Sequence, residues 1–289
     1  MGEVPHSAGT AGPRVAPPPL ACDSHLHIYD ERFPASPGQA TLPRATVADY
    51  RLLQARLGTS RAVVVQIRAN GTDNAVTVDA VTRLGLANAR GVAVLHPAAS
   101  DAQLRELDAA GIRGLRFSLH EPQHGVCTID MIEPLARRLE PLGWHVQLHL
   151  TADQLAGNAA MIERLPCRIV IDHRARLPAA GPAHPAFALV RRLLDAGRTW
   201  VKLSGPYLDS RTGGPAWADV AEGARALAAA APERMLWGSD WPHPTEKMAK
   251  PDDAALLDVL ADWAPREGDR RRILVTNPCE LYGFEPPPQ

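Results

Sequence analysis

Residues 21–28 read ACDSHLHI, a short apolar run that closes on two histidines one residue apart, and seven further runs of the same character follow it. They are RAVVVQI (61–67), GVAVLH (91–96), GLRFSL (114–119), HVQLHL (145–150), RIVIDH (168–173), TWVKLSG (199–205) and RMLWGSD (234–240). Between them lie segments of helical spacing, among them TVADYRLLQARLG (46–58), SDAQLRELDAAG (100–111), TIDMIEPLARRLEPLG (128–143), WADVAEGARALAAAAP (217–232) and, last, PDDAALLDVLADW (251–263). Short β-rich runs alternating with longer amphipathic ones signal parallel βα units. Thr46 and Ser100 stand where N-caps belong, and Gly58 and Gly111 where helices stop. Eight strands with eight crossovers predict an α/β fold, a single (β/α)8 TIM barrel over residues 20–289; an open dinucleotide-binding sheet would show a Gly-rich phosphate turn, and the sequence has none.

Working outward, residues 1–19 are rich in Pro, Gly and Ala without periodicity, which predicts a flexible tail. The 289 residues are 45% hydrophobic, enough for one large core. Lysine and arginine number 31 against 32 acidic residues, so no charge excess points to nucleic acid or an anionic membrane surface. No apolar stretch reaches transmembrane length, the N-terminus lacks a signal-peptide core, and the four cysteines form no C-x-x-C pair. A cytoplasmic enzyme with reduced thiols and a small-molecule substrate is expected, with homo-oligomerisation left open.

In a barrel of this kind the strand interiors fill the core and the carboxyl ends of the strands carry function. Strand one ends in His25-Leu26-His27, and a period of two places both imidazoles on one side of the strand. Chance alone supplies roughly 0.4 such pairs in a chain of this composition, so the pair by itself decides little. Strand four carries Arg116, strand five ends at His149, strand six at Asp172-His173 and strand eight at Asp240. Barrel closure would bring these around one mouth. Asp240, among cationic neighbours, is the candidate general base. The imidazoles of His25, His27 and His173 would polarise a carbonyl, directly or through a divalent ion, and Arg116 suits a substrate carboxylate. Gln66, Arg68, Asn70 and Asp73 follow strand two, where substrate hydroxyls can be met, although Asp73 equally suits a helix cap. Arg176 fits either a substrate oxygen or a rim salt bridge, His243 orders the loop after Asp240 or touches substrate, and Lys202 points into the barrel or toward a helix.

The motifs DSHLHIYD, VVQIRANGTDN, GIRGLRF, GWHVQLHL, IVIDHRAR, WVKLSGPY, WGSDWPHP and VTNPCELYGF together resemble the amidohydrolase superfamily, over nearly the whole chain from residue 20. Within it they resemble the branch that holds 2-pyrone-4,6-dicarboxylate lactonase, sugar-acid lactonases and D-galactarolactone isomerase. The resemblance implies hydrolysis of a small carboxylated lactone, with Asp240 activating water and His25, His27 and His173 polarising the carbonyl. It also implies that His149, with His25, His27 and Asp240, would form the ligand set of one divalent ion, Zn or Mn, if the enzyme uses one; metal-free catalysis is the other route within the branch. Two departures bear on the substrate: FSLHEPQHG (117–125) lacks a second arginine, and SGPYLDS (204–210) offers Tyr207 in place of an acidic residue followed by arginine. Both favour a less anionic ligand, such as a sugar-acid lactone, met by Arg116, Gln66, Arg176, Tyr207 and His243. Lactone isomerisation and metal-dependent decarboxylation are the alternative reactions on such a barrel.

Overall fold

The computed structural model describes residues 2–39, 43–121 and 126–287, so Pro122 to Gly125 of the FSLHEPQHG stretch lie outside the described residues. Eight strands form one sheet in sequence order, every neighbouring pair parallel. They are β1 Cys22–Leu26, β2 Arg61–Val65, β3 Ala89–Ala93, β4 Ile112–Ser118, β5 His145–His149, β6 Arg168–Ile171, β7 Thr199–Leu203 and β8 Met235–Trp237. The expected (β/α)8 TIM barrel is therefore the observed architecture. Every expected run overlaps its strand; β3 and β4 each begin two residues before their runs, and β8 occupies only three residues of RMLWGSD, because the chain turns away after Trp237 to build the mouth.

Closure between the last and first strands occurs beyond β8. The Asp240 N–H donates to the His25 carbonyl and the His27 N–H to the Trp241 carbonyl, both at 2.8 Å. The Asp23 carboxylate reinforces the seam by accepting from the Ser239 N–H at 2.9 Å, the Ser239 hydroxyl at 2.6 Å and the Tyr50 hydroxyl at 3.1 Å. Gly238 makes the approach possible. A Cβ at that position would lie 2.6 Å from His25 Cβ and 2.9 Å from its backbone nitrogen, closer than real side chains come.

Local chemistry explains the helices. Thr46 and Gln103-paired Ser100 cap Val47–Leu57 and Asp101–Ala109 with reciprocal capping boxes, and Asp252 caps Asp253–Trp263. The expected 128–143 helix is shorter, Ile132–Leu139 between two tighter turns, the second opened by Pro141. Inside the barrel Cys22, Val63, Val65, Val92, Val170, Trp200 and Leu236 pack with Tyr282 and Phe284 from the C-terminal segment.

Within the 1–19 segment, expected as a flexible tail, several residues are hydrogen-bonded to the barrel. The buried Arg56 guanidinium donates to the carbonyls of Ala8 and Gly9 and to the Ser7 hydroxyl, and the Trp241 indole donates to the Pro5 carbonyl at 2.8 Å. Composition could not show this, because the acceptors, Ser7 apart, are backbone carbonyls that any sequence supplies. Among the described residues no helix is long and apolar enough to cross a membrane.

Gly238→Ala should overpack the seam and lower unfolding free energy by about 1–3 kcal/mol, read by denaturant titration; wild-type stability in this variant would refute the seam's tightness.

Candidate active site

Strand β1 carries an irregularity that decides the site. Asp23 pairs with Ala62 and Leu26 with Val64, so three steps on β1 match two on β2. This extra residue is a bulge, which re-aims the side chains that follow it. Cys22 packs in the barrel interior and Leu26 in the outer core with Ala62 and Val64, yet His25 and His27 both reach the mouth. Strict alternation from Cys22 would have sent them outward.

At the mouth three ligand-type atoms converge. His25 Nε2 lies 3.3 Å from His27 Nε2 and 3.5 Å from Asp240 Oδ1, and His27 Nε2 lies 3.4 Å from the same oxygen. His27 Nδ1 donates to the Val65 carbonyl at 2.8 Å, which places its proton there and turns the Nε2 lone pair inward. His25 Nδ1 lies 3.3 Å from Asp172 Oδ1 and 3.3 Å from Lys202 Nζ. A proton on Nδ1 directed at Asp172 leaves Nε2 as a ligand; a proton on Nε2 makes His25 a donor to Asp240. The His173 ring stands 4.7 Å from that of His25, its Nδ1 2.9 Å from the Ser204 hydroxyl. Gly205, at φ 55°, gives room beside it, since a Cβ there would lie 3.0 Å from His173 Nδ1.

The separations of 3.3, 3.4 and 3.5 Å match the edges of a tetrahedron around an ion with bonds of about 2.0–2.1 Å, which are about 3.3–3.4 Å long. His25, His27 and Asp240 therefore fit a divalent ion. His149, the expected fourth ligand, is not brought to that set: its Nδ1 lies 3.1 Å from Arg116 Nη2 and its Nε2 3.3 Å from Arg176 Nη1. Both nitrogens face guanidinium donors because β5 delivers the ring between the arginines of β4 and the β6 loop.

Burial and pairing set the protonation states. Burial pushes His25 and His149 well below the ordinary imidazole range and His173 down to about 4. For Asp240, burial alone would raise the carboxyl, but the surrounding histidines, His173 first, outweigh it and hold the group well below the usual carboxylate range. Asp172, likewise buried, is held low by His25, Lys202 and Arg116. Burial brings Lys202 down to about 8. At neutral pH the neutral imidazoles of His25 and His173 thus stand beside an ionised Asp240 carboxylate, the state a general base requires.

The other expected residues divide. Arg116 is buried, with Nε on Asp172 at 3.1 Å and Nη2 on His149. Arg176 forms an ion pair to Asp209 through Nε at 2.9 Å, while its Nη1 lies against His149. Tyr207 donates to Asp240 Oδ2 at 2.7 Å, and its oxygen lies 2.9 Å from His243 Nδ1. Gln66 is not brought to the site: its amide donates to the Gly71 and Asp73 carbonyls and accepts from Thr77, which folds the loop after β2. Asn70 holds the Phe33 and Pro34 carbonyls, and Asp73 caps the Ala75 N–H. Sequence reasoning placed Asp172 at the mouth but gave it no role, and passed over Gln147, whose amide bridges Asp172 Oδ2 and Lys202 Nζ. The signal for Gln147 was present in the i, i+2 spacing His145-Gln147-His149 along β5, which marks one inward face. Lys202 resolves inward.

A family model described as Amidohydrolase matches residues 22–284. The chain is 37% identical over 287 residues to 4-sulfomuconolactone hydrolase of Rhizobium radiobacter, covering 94% of this chain and 95% of that protein. It is 32% identical to D-galactarolactone isomerase of Agrobacterium fabrum, covering 99% of each. The apo crystal structure of an Agrobacterium tumefaciens protein superimposes with a TM-score of 0.88 at 32% identity, covering 98% of this chain and 99% of that one.

His173, at about 4, carries a stability consequence. An unfolded histidine protonates near 6.5, so between that value and about 4 the unfolded chain binds the extra proton and stability falls as pH falls. His145, held down to about 3 by burial, extends the window. Urea unfolding at pH 7 and pH 4.5 should show the loss, and equal midpoints would contradict buried neutral imidazoles.

Proposed function

Because this chain belongs to the amidohydrolase family, we propose that it hydrolyses a small carboxylated lactone, of sugar-acid or related type, with Asp240 as the base that activates water. The observation that carries the reading is the convergence of one ionised carboxylate oxygen with the imidazoles of His25 and His27 in a buried mouth.

A water held against Asp240 Oδ1 gives up a proton to the carboxylate as its oxygen adds to the ring carbonyl. The growing negative charge on the carbonyl oxygen falls among the imidazoles, where His173, its Nδ1 accepting from the Ser204 hydroxyl, and His25 in its Nε2-protonated tautomer have ring N–H groups to donate in a site closed to bulk solvent. The protonated Asp240 then returns the proton to the ring oxygen as the acyl–oxygen bond breaks, so the products are one hydroxy acid and an unchanged enzyme. A divalent ion on His25, His27 and Asp240, when bound, supplies Lewis-acid polarisation and lowers the pKa of water. Arg116 and Arg176, both against His149, are the groups that would receive the substrate's acid function.

The isomerase relative supports a second reaction on the same scaffold, lactone isomerisation.

A panel of carboxylated lactones in weakly buffered indicator should show acid release for the substrate class; consumption without acid would indicate isomerisation, and carbon dioxide release decarboxylation. Asp240→Asn should fold normally by circular dichroism and lose at least about 100-fold in kcat, as removal of a general base does. A rate near wild type would remove Asp240 from the role.

A further inference from the structure

The two oxygens of Asp240 have different surroundings. Both imidazole contacts of 3.4 and 3.5 Å run to Oδ1, whereas Oδ2 takes the Tyr207 hydroxyl at 2.7 Å. Behind Tyr207 stands a buried string: the phenol oxygen lies 2.9 Å from His243 Nδ1, and His243 Nε2 lies 3.1 Å from Asp253 Oδ2 at the start of the helix Asp253–Trp263. The phenol and imidazole rings also meet edge to face, with centroids 5.4 Å apart. The Asp253 carboxylate only accepts, so the imidazole proton lies on Nε2, and the phenol's single proton has two acceptors to choose from. The charged carboxylate at 2.7 Å is the stronger of the two.

The turn that presents Tyr207 is pinned from the far side as well. Arg174 donates to the Gly205 carbonyl and to Asp209, and Arg176 donates to Asp209 and to the Leu208 carbonyl. His243 is anchored in turn, its carbonyl accepting from Lys250 Nζ at 2.7 Å.

We propose that Tyr207, braced by His243 and Asp253, is a positioning residue for the hydrolytic base: by holding Oδ2 it fixes the carboxylate plane and reserves Oδ1 as the proton acceptor that faces water and the imidazoles. A free carboxylate rotates about its Cβ–Cγ bond and offers either oxygen; this one is committed before substrate arrives, so no reorganisation accompanies proton transfer. The inference deepens the lactonase reading and rests on it. It also separates Tyr207 from a substrate-binding role, because a group spent on Asp240 affects the chemical step more than ground-state binding.

Tyr207→Phe removes only the hydroxyl and keeps the ring contact with His243. On a lactone the wild-type enzyme opens, kcat should fall about tenfold or more while KM changes less than about twofold and the thermal midpoint barely moves. An unchanged kcat, or a raised KM at unchanged kcat, would overturn the assignment. A crystal structure of the same variant supplies a readout independent of turnover: the Asp240 carboxylate should be rotated from its wild-type plane, and an unrotated carboxylate sinks the proposal. Should the wild-type enzyme open no lactone on the panel, the lactonase reading fails by itself, and the crystallographic comparison still decides whether Tyr207 sets the carboxylate.

Discussion

The hydrogen bond from the Asp240 N–H to the His25 carbonyl, 2.8 Å long, is the constraint on which the rest of the molecule turns. It is a backbone bond, so the separation between the base and the first imidazole follows from the covalent reach of two side chains on adjoining strands and not from loop placement. The parallel bond from His27 to Trp241 repeats the arrangement one step further along. Asp23 and Ser239 lock the seam from behind, and the missing side chain at Gly238 lets the two strands approach. A barrel that closes in this way carries its base and its imidazoles in fixed register, which is the preorganisation that water activation needs.

Closing the seam buries charge, and the interior is arranged to bear it. Arg116 and Lys202 bring two positive charges into the barrel and Asp172 and Asp240 two negative ones, with Gln147 bridging Asp172 and Lys202. Isolated, any of these would cost several kcal/mol to desolvate; paired and hydrogen-bonded, they persist. The consequence reaches the site directly. Burial favours the neutral form of the His25 and His173 imidazoles, while pairing with Lys202 and Arg116 helps hold the Asp172 carboxylate ionised.

The backbone at the mouth is held in an unfavourable conformation. His173, Arg174, Ala175 and Arg176 have φ between 49° and 58°, Asp240 has φ 63° and His243 φ 55°. Non-glycine residues in this left-handed region cost on the order of 1–2 kcal/mol each. They stay there because the surroundings over-determine them: Arg174 and Arg176 are tied to Asp209, and His243 is clasped between Tyr207 and Asp253. Such strain clusters where side chains must be aimed, and here it aims the two histidines and the aspartate that end or follow strands β6 and β8.

The alternation of eight β-rich runs with amphipathic segments determined the barrel, because strand and helix periods are properties of local sequence, and strand-end polarity located His25, His27, His173 and Asp240. Three things were decided only by tertiary structure. The bulge in β1 that swings His25 and His27 into the mouth depends on pairing with β2, which no single strand records. The diversion of His149 from a ligand set to the arginines depends on which neighbours the closed barrel sets on either side of it. The hydrogen bonding of the 1–19 segment to the barrel depends on backbone carbonyls meeting a buried arginine. Periodicity is written residue by residue along the chain, whereas hydrogen-bond partners and buried charge pairs are chosen among groups that become neighbours only when the sheet closes.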